Sequence, residues 1–434
     1  MKNFISNNFQ YLIALVILVL INNCADKNNG KTIIKFWAMG VEGETVSELI
    51  PQFEKENPSI HIKVQMIPWT AAQEKLISAY ASDNLPDVFQ LGNTWIPQFV
   101  AIGALQSLNG FIRKSKIISR NNYFKGIWQT NRIGNNVYGI PWYIDTRVLF
   151  YRKDILQKAG YDHPPKTWSE LFDVSKKIKE LEKGQDKYAI FLPTNEWSIF
   201  VIFGLQAGAK LLKDNNSYGN FSSKQFKKGF AYLMKYYQDR LAPIGMTKVN
   251  NVYQAMSNGY FAMFISGPWN IKEMKKWMRG ALKNSWMTAP LPAHDSAGIG
   301  VSLPGGSSLV MNSKTKHSKA AWKFIEFLSM VKSQIEFYKL ADDLPALKSA
   351  WKDSSIVKNK YVKAFYFQLK HIKPLPKITE WEQIAFSKIQ QYAEYAANGK
   401  LSIDDALHKL DLDVNKILKK RRWLLKNSKN YKLR

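Results

Sequence analysis

The sequence predicts an α/β fold with more than one domain, and three observations support this. Strand and helix patterns alternate between residues 32 and 91, the chain has 434 residues, and 46% of them are hydrophobic. The order strand, helix, strand, helix, strand favours parallel pairing with right-handed crossovers. A chain of this length is sufficient for two or three domains, each with a large core.

The first half of the chain gives the clearest patterns. Residues 60–66 alternate apolar and polar side chains, which predicts a strand, and apolar residues three and four apart predict helices. The predicted strands are 32–37, 60–66, 87–91, 138–143 and 148–151, and the predicted helices are 42–56, 71–82 and 170–182. Thr167 is the expected N-cap of the last of these helices, with Glu170 completing a capping box.

The second half is mainly helical. We expect helices over 224–239, 253–258 and 322–328, a strand over 260–265, and a last helix that begins after Ser402. From Lys416 to Arg434 every charged residue is basic. Such a run suits the C-terminal end of a helix dipole and is also suited to anionic lipid headgroups.

The N-terminal segment resembles a bacterial lipoprotein signal. Lys2 supplies positive charge, residues 11–21 form an apolar run too short for an ordinary membrane span, and Cys24 is the only cysteine. We therefore expect a signal peptide over 1–23, lipidation of Cys24 and a tether over 24–31. Asn23 departs from the usual small residue before such a cysteine, so a plain secretory peptide or an uncleaved anchor remains an alternative.

Composition and motifs argue against several classes of function. A single cysteine leaves no intrachain disulfide and no thiolate metal site. The formal net charge of +28 fits either an anionic partner or lysine-rich solvated faces, and we favour the second, without nucleic acid. Patterns such as GxSxG, HExxH and Walker A are absent, so we expect no catalytic residue, metal or cofactor. Acidic residues are nevertheless too plentiful for spacing alone to exclude a glycosidase.

Several segments, in order, resemble the extracellular solute-binding proteins of ABC importers, in the family 1 group that includes maltose-binding protein. They are FEKENP at 53–58 with IHIKV at 60–64, LPDVF at 85–89, GIPWYIDTRVLFYRKD at 139–154, PPKTW at 164–168, AMFISGPW at 262–269, and Gly305–Gly306. The resemblance implies a periplasmic-binding-protein-like fold of two α/β lobes with a ligand cleft and a multi-strand hinge. Crossing strands are then expected near 143–147 and near Pro290.

The resemblance also implies lobe boundaries and a function. The first lobe would comprise 32–142 and about 290–340, and the second 143–289 and about 341–434. The protein would capture a carbohydrate and deliver it to a membrane permease, as a lipid-anchored monomer without a cofactor. Glycerol 3-phosphate or a polyol phosphate is the alternative ligand, and a surface lipoprotein without a transport role is the alternative function.

A sugar-binding cleft needs aromatic rings for the C–H faces and carboxylates or amides for the hydroxyls. The expected ligand-binding residues are Glu42, Trp69, Asp87, Thr94, Trp95, Tyr143, Asp145, Trp197, Trp269, Gly305, Gly306 and Trp381. Asp145 is the leading candidate, with an ion pair to Arg147 as its structural alternative. The alternatives for Trp269 and Asp87 are hinge packing and capping of a strand end, and an ordinary turn is the alternative for the two glycines.

Overall fold

The computed structural model describes residues 30–182, 184–245, 249–295 and 298–431, and the backbone alone for 428–431. The expected signal peptide, Cys24 and all but the last two residues of the tether lie outside the described residues. Within the described ranges, no helix combines the length and the apolar character that crossing a bilayer requires.

Two main sheets organise the described chain, one of six strands and one of four. The strands, in chain order, are β1 (Thr32–Met39), β2 (Ile60–Ile67), β3 (Val88–Gly92), β4 (Arg132–Ile133), β5 (Asn136–Val137), β6 (Gly139–Asp145), β7 (Val148–Arg152), β8 (Tyr188–Phe191), β9 (Leu212–Lys213), β10 (Tyr218–Gly219), β11 (Phe261–Ser266), β12 (Trp286–Ala289), β13 (Gly305–Met311) and β14 (Leu344–Pro345).

Helices connect and cover these strands. They are α1 (Gly40–Thr45), α2 (Ile50–Glu56), α3 (Trp69–Ala81), α4 (Ile96–Ala101), α5 (Asn109–Lys114), α6 (Lys125–Thr130), α7 (Lys153–Lys158), α8 (Trp168–Leu181), α9 (Trp197–Gln206), α10 (Lys224–Gln238), α11 (Val252–Ser257), α12 (Asn270–Trp277), α13 (Ser318–Leu328), α14 (Val331–Ala341), α15 (Ser354–Val357), α16 (Lys363–Gln368), α17 (Trp381–Gln383), α18 (Gln390–Ala397), α19 (Ile403–Ile417) and α20 (Lys419–Tyr431). Short 3₁₀ segments occupy Val46–Leu49, Arg120–Asn122, Gly280–Leu282 and Lys348–Lys352, and a π-helix occupies Ile384–Ile389.

The six-stranded sheet confirms the parallel pairing expected of the first three strands. Its order is β14-β6-β13-β3-β1-β2, and β1 pairs in parallel with both β2 and β3. The later strand β13 returns antiparallel between β3 and β6. We call this sheet, with the helices packed on it, the first lobe.

The four-stranded sheet has the order β12-β7-β11-β8, and we call it, with its helices, the second lobe. The chain passes between the sheets from β6 to β7 through Thr146 and Arg147, and it returns between β12 and β13. Thr146 Oγ1 donates to the Leu303 carbonyl at 2.8 Å, so the two connecting segments are joined by a buried hydrogen bond.

Local sequence explains where several helices begin. Thr167 Oγ1 accepts from Glu170 N at 3.1 Å, while the Glu170 carboxylate accepts from Lys166 N at 2.7 Å, one residue before the cap. Ser402 Oγ likewise accepts from Asp405 N at 3.1 Å at the start of α19. These side chains satisfy backbone donors that have no partner within the helix, as the capping pattern predicts.

Two features of the fold differ from the expectations. The helix expected over 42–56 is broken into α1, a 3₁₀ segment and α2, with Pro51 in the first turn of α2. The strand β14 pairs with β6 in the six-stranded sheet, so the chain just beyond 341 lies in the first lobe and not the second. Trp351 Nε1 donates to the Pro345 carbonyl at 2.8 Å, so the 3₁₀ segment at Lys348–Lys352 is attached to β14.

Candidate ligand-binding cleft

A cleft of about 800 Å³ lies between the two lobes. The carboxyl ends of β1, β3 and β6 lead into it from the first lobe, as open α/β sheets generally arrange their ligand sites. The second lobe contributes the segments at the starts of α9 and α12. Of the sequence-predicted residues, the cleft brings together Glu42, Trp69, Thr94, Trp95, Tyr143, Asp145, Trp197, Trp269, Gly305 and Gly306.

A buried hydrogen-bond network forms the first-lobe wall. Glu42 lies in α1, directly after β1, and its Oε1 accepts from the Tyr143 hydroxyl at 2.6 Å. Gln90 Nε2 donates to the Tyr143 oxygen at 3.0 Å, and Ser307 Oγ donates to the same oxygen at 3.1 Å. Trp69 Nε1 also points at Glu42 Oε2, at 3.4 Å. The carboxylate of Glu42 is therefore held in place by side chains from β6, β3 and β13.

The carboxyl groups of Glu42, Asp145 and Asp343 lie close together at this wall, and the first two raise the pKa of the third. Burial raises the pKa of Glu42, and the hydrogen bond from Tyr143 opposes that rise. Burial, followed by the charges of Glu42 and Asp145, holds the pKa of Asp343 well above its ordinary value. Such carboxyl groups are suited to ligands that donate hydrogen bonds to them.

Asp145 is both a cleft residue and an ion-pair partner, so the two interpretations of this position coexist. Arg147 Nη1 lies 2.7 Å from Asp145 Oδ1. Burial raises the pKa of Asp145, while the Arg147 charge and the Gly306 backbone N–H counteract the rise. Asp145 therefore lines the cleft while Arg147 and the Gly306 N–H stabilise its charged form.

Arg147 is a cleft residue that sequence reasoning treated only as a partner of Asp145. Its guanidinium lies 4.9 Å from the ring centroid of Trp269, in a cation–π arrangement. Its backbone N–H donates to Ser302 Oγ at 3.2 Å, and its carbonyl accepts from the same hydroxyl at 2.9 Å. Arg147 therefore links the connecting segments to the aromatic surface of the second lobe.

Trp269 is the most exposed tryptophan in the cleft, with 45% of the residue accessible. It follows Gly267 and Pro268 at the end of β11, and a Cβ at Gly267 would lie 1.8 Å from the Trp269 ring. The absence of a side chain at Gly267 is therefore what lets the ring fold over the backbone. The Trp269 ring therefore lies at the cleft surface, where it also contacts Arg147 of the connecting segment.

The other aromatic residues surround the opening. Trp69, 39% exposed, meets Trp95 edge-to-face at 5.9 Å between ring centroids. From the second lobe, Trp197 is buried except at the cleft surface, and it contacts the exposed Phe386 at 5.8 Å. Aromatic faces thus reach the cleft from both lobes, which is the arrangement that an apolar sugar face needs.

Gly305 and Gly306 lie in β13 and not in a turn. Gly305 pairs with Asp145, and a Cβ there would lie 2.0 Å from Asp145 Oδ1. Gly306 has a φ of +103°, and a Cβ there would lie 2.3 Å from the Tyr143 carbonyl oxygen. Gly306 therefore requires glycine, because its φ is positive and the Tyr143 backbone occupies the Cβ position. At Gly305 a side chain would instead displace the Asp145 carboxylate.

Two of the expected ligand-binding residues lie away from the cleft. Asp87 precedes β3, at the opposite end of the strand from the cleft, and its carboxylate accepts from Lys35 N at 2.9 Å and from the Thr315 hydroxyl. Trp381 is 1% exposed and contacts Trp197 at 5.9 Å, so it packs behind that ring. Asp87 therefore matches its alternative role at a strand end, and neither residue remains in the proposed ligand set.

Several charged cleft residues were missed from the sequence. Asp342 and Asp343 directly follow the C-terminus of α14, which the sequence pattern did not delimit. Asp342 has the left-handed backbone conformation. Glu382 reaches the cleft from α17, where burial raises its pKa and hydrogen bonds with Thr94 and Trp95 oppose the rise. Lys272 and Glu273, in the first turn of α12, line the same wall as Trp269.

The cleft is acidic although the chain as a whole is strongly basic. Its lining includes the carboxylates Glu42, Asp145, Glu196, Glu273, Asp342, Asp343 and Glu382, against the cations Arg147 and Lys272. Among the described residues, no group of three or more His, Cys, Asp or Glu side chains is arranged to hold a metal ion. The site is therefore suited to an uncharged, hydroxyl-rich molecule more than to an anion.

Two α/β lobes around a polar and aromatic cleft define a solute-binding protein. The family model for bacterial extracellular solute-binding proteins matches residues 39–335, and the chain belongs to that family. Members of the family bind solutes and are not enzymes, so the protein is a binding component.

Comparison with individual proteins agrees with this assignment. The chain is 44% identical to the sugar-binding protein MalE of the phytopathogen Xanthomonas citri, with a TM-score of 0.87 over 91% of this chain and 99% of that one. It is 27% identical to the galactooligosaccharide-binding protein of Bacillus subtilis, over 85% of this chain and 86% of the relative. It is also 27% identical to the putative ABC transporter periplasmic-binding protein YcjN of Escherichia coli, over 82% and 83%.

Proposed function

We propose that the protein is the extracytoplasmic substrate-binding component of an ABC importer, which captures a mono- or oligosaccharide and delivers it to a membrane permease. The observation that carries this proposal is the pairing of exposed tryptophan faces with buried carboxylates in one cleft. Trp69 and Trp269 supply apolar surfaces on opposite lobes, and Glu42 and Asp145 supply acceptors for hydroxyl groups.

The binding step uses both lobes. A sugar that lies on the Trp269 ring presents its hydroxyls to Asp145 and to the Glu42–Tyr143 pair. Closing the lobes then brings Trp69 and Trp95 onto the opposite face of the sugar. A ligand that contacts both lobes binds the closed form better than the open form, and this differential affinity shifts the population towards closure.

The charge of the cleft favours a neutral sugar over a polyol phosphate. Only Arg147 and Lys272 among the lining residues carry positive charge, and Arg147 is already paired with Asp145. A phosphate in this cleft would face several carboxylates with few cations to compensate, which is unfavourable in a partly buried site. Similarity to a sugar-binding protein and to a galactooligosaccharide-binding protein supports the same choice.

The partners and the location follow from the family and the N-terminal sequence. A relative described as an ABC transporter binding protein supports a permease as the partner that receives the ligand. We retain lipidation of Cys24 and the monomeric state as part of the proposal, with an exported protein held at the membrane facing the exterior or the periplasm. The basic surface is attributed to solvated lysines, with no nucleic-acid partner.

A thermal-shift screen tests the proposal. A ligand that binds only the folded protein stabilises it by RT ln(1 + L/Kd), where L is the free ligand concentration, so its melting temperature rises with the logarithm of ligand concentration above Kd. We expect shifts with one group of neutral mono-, di- or oligosaccharides and none with polyol phosphates at equal concentration. A shift with glycerol 3-phosphate alone would contradict the sugar assignment while leaving the fold and family unaffected.

A further inference from the structure

The C-terminal helix α20 exposes a tryptophan and a leucine among lysines. Trp423 is 64% exposed and Leu424 is 50% exposed. Lys419 lies one helical turn before Trp423, and Lys420 lies one turn before Leu424. Lys426 lies one turn after Trp423. All three lysines are exposed, so the outer face of the helix combines large apolar side chains with positive charge.

The inner face of α20 is anchored by polar contacts that do not involve this apolar pair. Arg421 Nε donates to the Asn216 carbonyl at 3.0 Å, and Arg422 Nη1 donates to the Ser217 carbonyl at 2.9 Å. The Arg422 guanidinium also lies 4.6 Å from the ring centroid of Tyr218. These contacts hold the helix on the second lobe and leave at least half of Trp423 and of Leu424 exposed to solvent.

The exposed Trp423 does not belong to the ligand-binding cleft. Among the large hydrophobic residues exposed in the described part of the chain, the tryptophans are Trp69, Trp269 and Trp423. The first two line the cleft, whereas Trp423 lies on α20, outside it. An exposed tryptophan flanked by lysines is the composition of helices that lie in the headgroup region of a membrane.

We propose that the outer face of α20, formed by Lys419, Lys420, Trp423, Leu424 and Lys426, docks on an anionic phospholipid surface. Charge complementarity selects this occupant, because the face carries three lysines and α20 contains no acidic residue. The lysines attract phosphate headgroups while Trp423 and Leu424 enter the interface. The docking would orient the second lobe towards the membrane independently of any acyl chain.

Vesicle co-sedimentation tests this proposal on the chain from residue 25 to 434, which keeps every described element and cannot carry an acyl group on Cys24. The probes are vesicles of equal parts phosphatidylglycerol and phosphatidylcholine, and vesicles of phosphatidylcholine alone. We expect binding to the anionic vesicles that weakens as salt is added, and at least about tenfold weaker binding to the neutral ones. Equal binding to both vesicles would overturn the proposal.

Charge reversal with a matched control separates the helix from the overall charge. Replacing Lys419, Lys420 and Lys426 together by Glu is expected to weaken binding to the anionic vesicles about a hundredfold or more. Replacing the exposed Lys55, Lys63 and Lys125 of the first lobe by Glu makes the same change in net charge, and is expected to cause a much smaller loss. Equal losses in the two variants would overturn the proposal.

The apolar pair gives a second readout. Trp423→Ala with Leu424→Ser is expected to weaken vesicle binding about tenfold at high salt, where apolar insertion provides most of the affinity. The circular dichroism melt of this variant is expected to match that of the parent chain, because the polar anchors of α20 are retained. A dimer in sedimentation velocity that this variant abolishes, without vesicle binding by the parent chain, would overturn the lipid assignment in favour of a second copy.

Discussion

Arg147 lies between Asp145 and Trp269. Its Nη1 is 2.7 Å from Asp145 Oδ1, and its guanidinium is 4.9 Å from the Trp269 ring centroid. Asp145 ends a strand of the first lobe, whereas Trp269 follows a strand of the second. One side chain at the crossover therefore contacts a carboxylate and a ring that we propose to bind the same ligand.

Removing the guanidinium should destabilise the protein. Arg147→Met leaves the largely buried Asp145 carboxylate without its cation, and we expect the free energy of unfolding near neutral pH to fall by about 2 kcal/mol. Asp145→Asn combined with Arg147→Met should cost less than the sum of the single changes, because the unpaired charge is then absent. Urea unfolding of the parent chain, the two single variants and the double variant measures the coupling energy between Asp145 and Arg147. Strict additivity of the two changes would show that the pair does not interact.

The buried carboxylates should make stability depend on pH. Burial and the charges of Glu42 and Asp145 hold the pKa of Asp343 well above its ordinary 3.8. Between that value and the raised one, the folded protein binds more protons than the unfolded chain. The contribution of Asp343 to the free energy of unfolding therefore falls as the pH rises through this window.

Asp343→Asn isolates this contribution. The amide cannot ionise, so we expect the variant to be more stable than the parent at neutral pH, by about 1.4 kcal/mol for each unit by which the pKa is raised. The advantage should shrink as the pH falls towards 3.8. Asp162→Asn, whose side chain is 92% exposed, serves as the control and should change little. Loss of stability at neutral pH in Asp343→Asn, with no change in pH dependence, would refute the assigned cause.

A methyl group at position 305 should disturb the site more than the fold. Its Cβ would lie 2.0 Å from Asp145 Oδ1, so the carboxylate has to move. We expect Gly305→Ala to weaken sugar binding at least about tenfold, the effect of losing a charge-assisted hydrogen bond. Gly110→Ala, where nothing lies within 4 Å of the added Cβ, is the matched control. Binding by titration calorimetry that is equal in both variants would show that the Asp145 position is unimportant.

The sequence predicted the parts of the fold that repeat over many residues. Strand β2 alternates apolar and polar side chains, and its parallel pairing with β1 follows from the helices between them. The two-residue strand β14 has no such periodicity, and pairing with β6 alone determines its place. The sequence therefore gave no signal for the boundary near residue 341, or for the position of Asp343 beside Glu42.

The candidate site was predictable where cleft residues directly follow strands. Glu42, Thr94 and Asp145 each lie at or just after the carboxyl end of a first-lobe strand, and the cleft brings them together. Asp87 was misplaced because it precedes its strand, and Trp381 because a helix start was taken for a loop. Burial of a tryptophan behind another ring depends on tertiary packing, which local patterns do not encode.

The central claim is tested most directly by isothermal titration of the chain from residue 25 to 434 and of its Trp269→Ala and Trp423→Ala variants. The titrant is the saccharide that gives the largest thermal shift, and we predict saturable binding to the parent chain and to Trp423→Ala. For Trp269→Ala we predict an affinity about tenfold to a hundredfold lower, because a stacking surface is lost. Binding by Trp269→Ala with the affinity of the parent chain would contradict the claim that the sugar occupies this cleft.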